Sequence, residues 1–143
     1  LMNTVIPYVE NNFPVCTDRQ NVAVCGSSSG GLMSFFSAFE HPEKFGYAGV
    51  FSPAFLCYTR EDWAKYLSTK IVENMPYLYI YTGNGDEFEE MIFESTEMLY
   101  ELLEESFYPY DRMNEVILFE NAHNEKSWRE IFPDFLHTFL SRL

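Results

Sequence analysis

Five residues, Gly26-Ser27-Ser28-Ser29-Gly30, join a short apolar run (Asn21 to Cys25) to a helical pattern opening at Gly31. The run reads as a buried strand. The pattern carries Leu32, Phe35, Phe36 and Phe39 on one side and stops at His41, before Pro42. A chain that turns from strand to helix so quickly has few backbone routes. The middle residue must take a strained conformation, and bulky side chains two positions away on either side would clash, hence Gly26 and Gly30. Such a turn projects the Ser28 hydroxyl over the sheet. The helix behind it aims backbone N–H groups and its positive dipole end at the same point. Ser28 is therefore a candidate nucleophile and the Ser29 N–H a candidate oxyanion donor. Glycine and serine also cluster in ordinary loops, but the flanking strand and helix set this segment apart.

The rest of the chain alternates in the same way. Leu1–Asn12 reads as a helix with Val5, Ile6 and Val9 on one side and Pro7 awkwardly inside it. Strands are predicted at Gly46–Phe51, at Tyr77–Thr82 closed by Gly83, and at Glu115–Phe119. Helices are predicted at Glu61–Val72, Phe88–Ser106 and Ser127–Leu143, the last with Ile131, Phe135, Leu136, Phe139 and Leu140 at helical spacing. Alternation of this kind means an α/β fold, a parallel sheet with helices on both faces. No linker or repeat divides residues 1–143, so a single domain is expected. In such sheets functional groups gather at the carboxyl ends of the strands.

A serine hydroxyl needs a base. His41 precedes Pro42 at a helix end, and His137 falls inside the last predicted helix, on its expected solvent side. His123 follows the last predicted strand and is the candidate base. The orienting acid is expected after the Tyr77–Thr82 strand, in Gly83-Asn84-Gly85-Asp86-Glu87-Phe88-Glu89-Glu90. Asp86 is preferred because it lies just past the strand, with Glu87 and Glu89 as rivals. Asp86 could equally cap the following helix. Nine carboxylates lie between Asp86 and Glu105; spread along a helix, they read as a solvated face. The aromatic residues Phe51, Phe55, Tyr58 and Trp63 could line a substrate pocket, but read better as core.

Charge narrows the partners. The net charge of −13 and pI near 4.4 repel nucleic acid and anionic membranes. No apolar run reaches the roughly 18 residues of a membrane span. Cys16, Cys25 and Cys57 match no zinc spacing, and free thiols in a reducing, cytoplasmic setting are expected. No signal peptide is visible, although the chain begins mid-pattern at Leu1 and a targeting segment could have preceded it. Neither a cofactor nor a metal is called for.

The run GSSSGGLMSFFSAFEHPEKFGYAGVFSPAF, Gly26 to Phe55, resembles the putative-esterase family of α/β-hydrolases, in particular its bacterial predicted-hydrolase branch. That family includes esterase D, feruloyl and acetylxylan esterases, siderophore esterases and mycolyltransferases. Thr17–Asn21 resembles the family's lead-in to the elbow strand. His123-Asn124-Glu125 with Trp128-Arg129 resembles its end motif, whose histidine is the base. The resemblance implies Ser28 as nucleophile, His123 as base and, in the glycine-containing turn, Asp86 as the nearest match to the acid. Ser29 stands where the family often has methionine, which matters little for a backbone donor. Family members are longer, so the chain is expected to be the C-terminal half of the fold, lacking N-terminal strands and the second oxyanion donor. A bare strand edge would then favour a homodimer. The implied activity is hydrolysis of a small-molecule ester through an acyl-enzyme, with the rate falling below about pH 6.5 as a histidine base protonates. The alternatives are an acyltransferase of the same chemistry and an inactive fragment acting as a structural or binding module.

Overall fold

The computed structural model describes residues 1–70 and 74–142. Strands β1 (Ala23–Ser27), β2 (Tyr47–Phe51), β3 (Tyr77–Gly83) and β4 (Met113–Leu118) form one sheet in the order β1-β2-β3-β4. Each neighbouring pair is parallel. The helices are α1 (Val5–Asn12), α2 (Ser29–Glu40), α3 (Arg60–Lys70), α4 (Glu87–Glu105) and α5 (Glu125–Leu140). The strand order runs in one direction, so right-handed crossovers carry α2, α3 and α4 over the same face. Helix α5 follows the last strand, is no crossover, and covers the opposite face.

Two cores result. On the first face Phe35, Phe39, Trp63, Leu67, Leu99 and Leu103 pack against Ala48 and Val50 of β2 and Leu78 and Ile80 of β3. On the second, Ile131 and Phe135 of α5 pack on Tyr47, Phe51, Tyr77, Tyr79 and Tyr81. The sheet residues of the two cores alternate, as the pleat requires. Strands β2 and β3 are buried throughout, whereas β1 is half-buried because it is an edge strand. Beside that edge Val5, Val9, Val15, Val24, Cys25 and Phe139 line an apolar groove.

The α/β architecture with helices on both faces agrees with the sequence reading, and several details differ. Helix α1 starts at Val5 rather than Leu1, which puts Pro7 in its first turn, where a missing N–H costs nothing. Strand β1 continues through Gly26 and Ser27, which pair with Val50 and Phe51. The third helix runs to Lys70; Ile71 and Val72 of its expected span lie outside the described residues, as does Leu143 at the end of the last. In α5, Ile131 and Phe135 are buried but Leu136 and Leu140 face solvent. Phe51, Phe55 and Trp63 are core, while Tyr58 is exposed and leans on Phe36 and Trp63. The three cysteines are unpaired and exposed.

Candidate active site

Between β1 and α2, Ser28 has φ 57° and ψ −121°, a left-handed conformation that costs a serine about 1–3 kcal/mol. The surroundings hold it there. The Ser28 N–H donates to the Phe51 carbonyl at 2.9 Å, and its own carbonyl accepts from the N–H groups of Leu32 at 3.1 Å and Ala54 at 3.2 Å. A Cβ on Gly26 would stand 2.6 Å from the Gly30 carbonyl carbon and oxygen, so the first glycine is required as expected. The second is not: a Cβ on Gly30 meets nothing within 4 Å. The crowded position is Gly31, whose Cβ would lie 2.8 Å from the Phe51 oxygen, because α2 starts directly against β2. Ser29 is the first residue of α2, so its N–H has no acceptor within the helix and stays open beside Ser28.

The loops after β3 and β4 bring the other groups to this point. They lie against each other: the Gly85 N–H donates to the Asn121 carbonyl at 2.8 Å, and the Glu120 N–H to Asn84 Oδ1 at 3.1 Å. Asn124 caps α5 by accepting from the N–H groups of Lys126 and Ser127. His123, just before that cap, places Nε2 3.0 Å from Ser28 Oγ and Nδ1 2.6 Å from Glu89 Oε2. A carboxylate only accepts, so Nδ1 carries the proton and Nε2 accepts from the serine hydroxyl. Glu89 is fully buried, and 12% of the His123 side chain is exposed.

Asp86, expected to face the imidazole, does not touch it. It is the N-cap of α4, and its carboxylate accepts from two backbone N–H groups, those of Glu89 and His123, each at 2.8 Å. These two donors, Glu89 first, lower its pKa below the ordinary aspartate value. Asp86 thus ties the histidine loop to the helix, and the imidazole faces Glu89, three residues further on. Glu87 is exposed. The sequence held a signal for Glu89. Ile92, Leu99 and Leu103 form the buried stripe of α4, and Glu89 lies one helical step before Ile92 on it. A carboxylate at a core position needs buried partners.

Phe88 and Trp128 stand edge-on to the His123 ring, with centroids 4.7 and 5.1 Å away. Next to the elbow, Gly26, Ser27, Phe51, Trp128, Phe132 and Pro133 line an apolar depression. His41 terminates α2 and lies 3.3 Å from Glu43, and His137 is exposed on α5, both away from the site. Among the described residues no group of three His, Cys, Asp or Glu side chains is placed to hold a metal, and no helix is long and apolar enough to cross a membrane.

The family model described as Putative esterase matches residues 1–139. The endo-1,4-beta-xylanase/feruloyl esterase of Xylanibacter ruminicola is 32% identical over 100 residues, which are 69% of this chain and 12% of that protein. The ferric enterobactin esterase of Salmonella typhimurium superposes with a TM-score of 0.81 at 19% identity, over 98% of this chain and 35% of its own. A ferulic acid esterase from Anaeromyces mucronatus, solved with ferulic acid, superposes at 0.76 and 18% identity, over 96% and 51%. At such identities the structural likeness is one of fold. The chain spans a minor part of the xylanase/feruloyl esterase and of the enterobactin esterase.

Proposed function

Because the chain belongs to the Putative esterase family, we propose that it carries the site of a serine carboxylic-ester hydrolase, with Ser28, His123 and Glu89 as its triad. The observation behind this reading is the continuous line from Ser28 Oγ through the His123 ring to the buried Glu89 carboxylate, with spacings of 3.0 and 2.6 Å. As an ester carbonyl approaches, His123 Nε2 takes the Ser28 proton while Oγ bonds to the carbonyl carbon. The oxygen then carries negative charge, and the Ser29 N–H at the start of α2 faces it. The C–O bond to the alcohol breaks, the imidazolium returns its proton to the leaving oxygen, and an acyl-serine remains. Water, deprotonated by the same nitrogen, releases the acid and restores Ser28. Throughout, Glu89 holds the Nδ1–H tautomer and offsets the imidazolium charge.

The names of the relatives point to esters of aromatic acids as the first substrates to try. A fluorophosphonate probe followed by peptide mass spectrometry tests the core of the reading. Label on the Ser28 peptide, lost in Ser28→Ala together with cleavage of a 4-nitrophenyl ester, is the expected result. Undiminished cleavage by Ser28→Ala would refute it.

A further inference from the structure

Ser52 follows β2 directly, at the carboxyl edge of the sheet between the Ser28 elbow and the end of β3. It is completely buried and has φ 40°, a left-handed backbone that an ordinary strand end does not need. Its N–H donates to the Tyr81 carbonyl at 2.7 Å, which fixes its place over the sheet. Its side chain serves the acid of the proposed triad. The Ser52 hydroxyl donates to Glu89 Oε1 at 2.6 Å, and the Trp128 indole N–H donates to Ser52 Oγ at 2.9 Å. With the indole proton on one lone pair, the hydroxyl proton is left to point at the carboxylate. The Gly83 N–H is the other donor to Oε1, at 2.8 Å.

A carboxylate pivots about its last bond, so a grip on one oxygen decides where the other lies. We propose that Ser52 is a positioning residue. Its hydroxyl, itself oriented by Trp128, holds Oε1 of Glu89 so that Oε2 stays on Nδ1 of His123. This rests on the triad reading given above. In Ser52→Ala or Ser52→Gly, Oε1 retains one donor and the carboxylate can turn away from the ring. The order of action is Trp128, Ser52, Glu89, His123, Ser28, and Ser52 touches neither substrate nor nucleophile.

The test is steady-state hydrolysis of a 4-nitrophenyl ester by the full-length protein, with melting curves for each variant. Ser52→Ala removes the hydroxyl. Ser52→Gly does so while suiting the positive φ, which guards against simple misfolding. Both should lower kcat about 10- to 100-fold and leave KM within about twofold. Trp128→Phe should give a smaller loss in kcat. In a Glu89→Gln background, Ser52→Ala should cost nothing further, because the group it positions no longer carries charge. Wild-type kcat in both Ser52 variants, beside a strong loss in Glu89→Gln, would overturn the proposal and leave the triad standing. An equal Ser52→Ala loss in both backgrounds would also overturn it, since the effect would then not pass through Glu89. Unchanged kcat in Glu89→Gln would overturn the triad reading and the proposal with it.

Discussion

Glu89 Oε2 stands 2.6 Å from Nδ1 of His123, while both carboxylate oxygens of Asp86, three residues earlier, are taken by backbone N–H groups. The two acids therefore have separable consequences. Glu89→Gln leaves the cavity filled but removes the charge that favours an imidazolium. Its turnover should fall by about 10⁴-fold, the scale on which a triad acid acts. Asp86→Asn keeps an amide oxygen for one of the two N–H bonds. It should cost far less turnover and show chiefly as a lower melting temperature. Parallel kinetics on the two variants, with melting curves, check the assignment; the reverse order would return the acid to Asp86.

The glycines of the elbow should respond unequally. Gly26→Ala drives a methyl into the Gly30 backbone and Gly31→Ala into the Phe51 carbonyl, at 2.6 and 2.8 Å. Neither neighbour can move without breaking the strand–helix junction, so both variants should melt well below the parent. Gly30→Ala meets open space inside α2 and should match the parent or gain up to about 1 kcal/mol. Thermal melts of the three variants suffice to check this.

Glu115 on β4 gives the fold a pH dependence. Burial, and then the neighbouring Glu97 carboxylate, push its pKa up from 4.5 to about 7. Between about pH 4.5 and 7 the folded state thus holds a proton that the unfolded state releases. The stability this adds is fully present below about pH 4.5 and is lost as pH rises through about 7. Glu115→Gln, a neutral match in shape, should raise the melting temperature at pH 8 and change it little at pH 4.5. A uniform shift at both values would count against this account.

The 143-residue chain by itself should self-associate through β1. Among the described residues that strand has a partner on one side only, and the groove beside it is apolar. An unpaired edge next to apolar side chains recruits another strand. Cys25→Lys places a charge on the exposed side of β1 and should shift the chain toward monomer in sedimentation. A concentration-independent monomer before the substitution would remove this expectation.

The sequence by itself determined the local features. Apolar period, the Gly-x-Ser-x-Gly turn and the Gly and Pro stops set the order of strands and helices, the strained Ser28 and the position of His123 after the last strand. These depend on residues adjacent in the chain, whose steric demands are readable without a fold. The tertiary structure decided which acid meets the histidine, which second glycine is crowded, and what holds Glu89. Asp86 is nearer the end of β3, yet the packing of one loop on the other aims its carboxylate at backbone N–H groups. Glu89 reaches His123 because the first turn of α4 starts just past the carboxyl end of β3, beside the loop after β4, and Ser52 reaches Glu89 from just beyond the end of β2. Contacts between residues 34 and 37 positions apart depend on the register of three strands and the docking of a helix. No local pattern encodes that arrangement, which exists only once the core has packed.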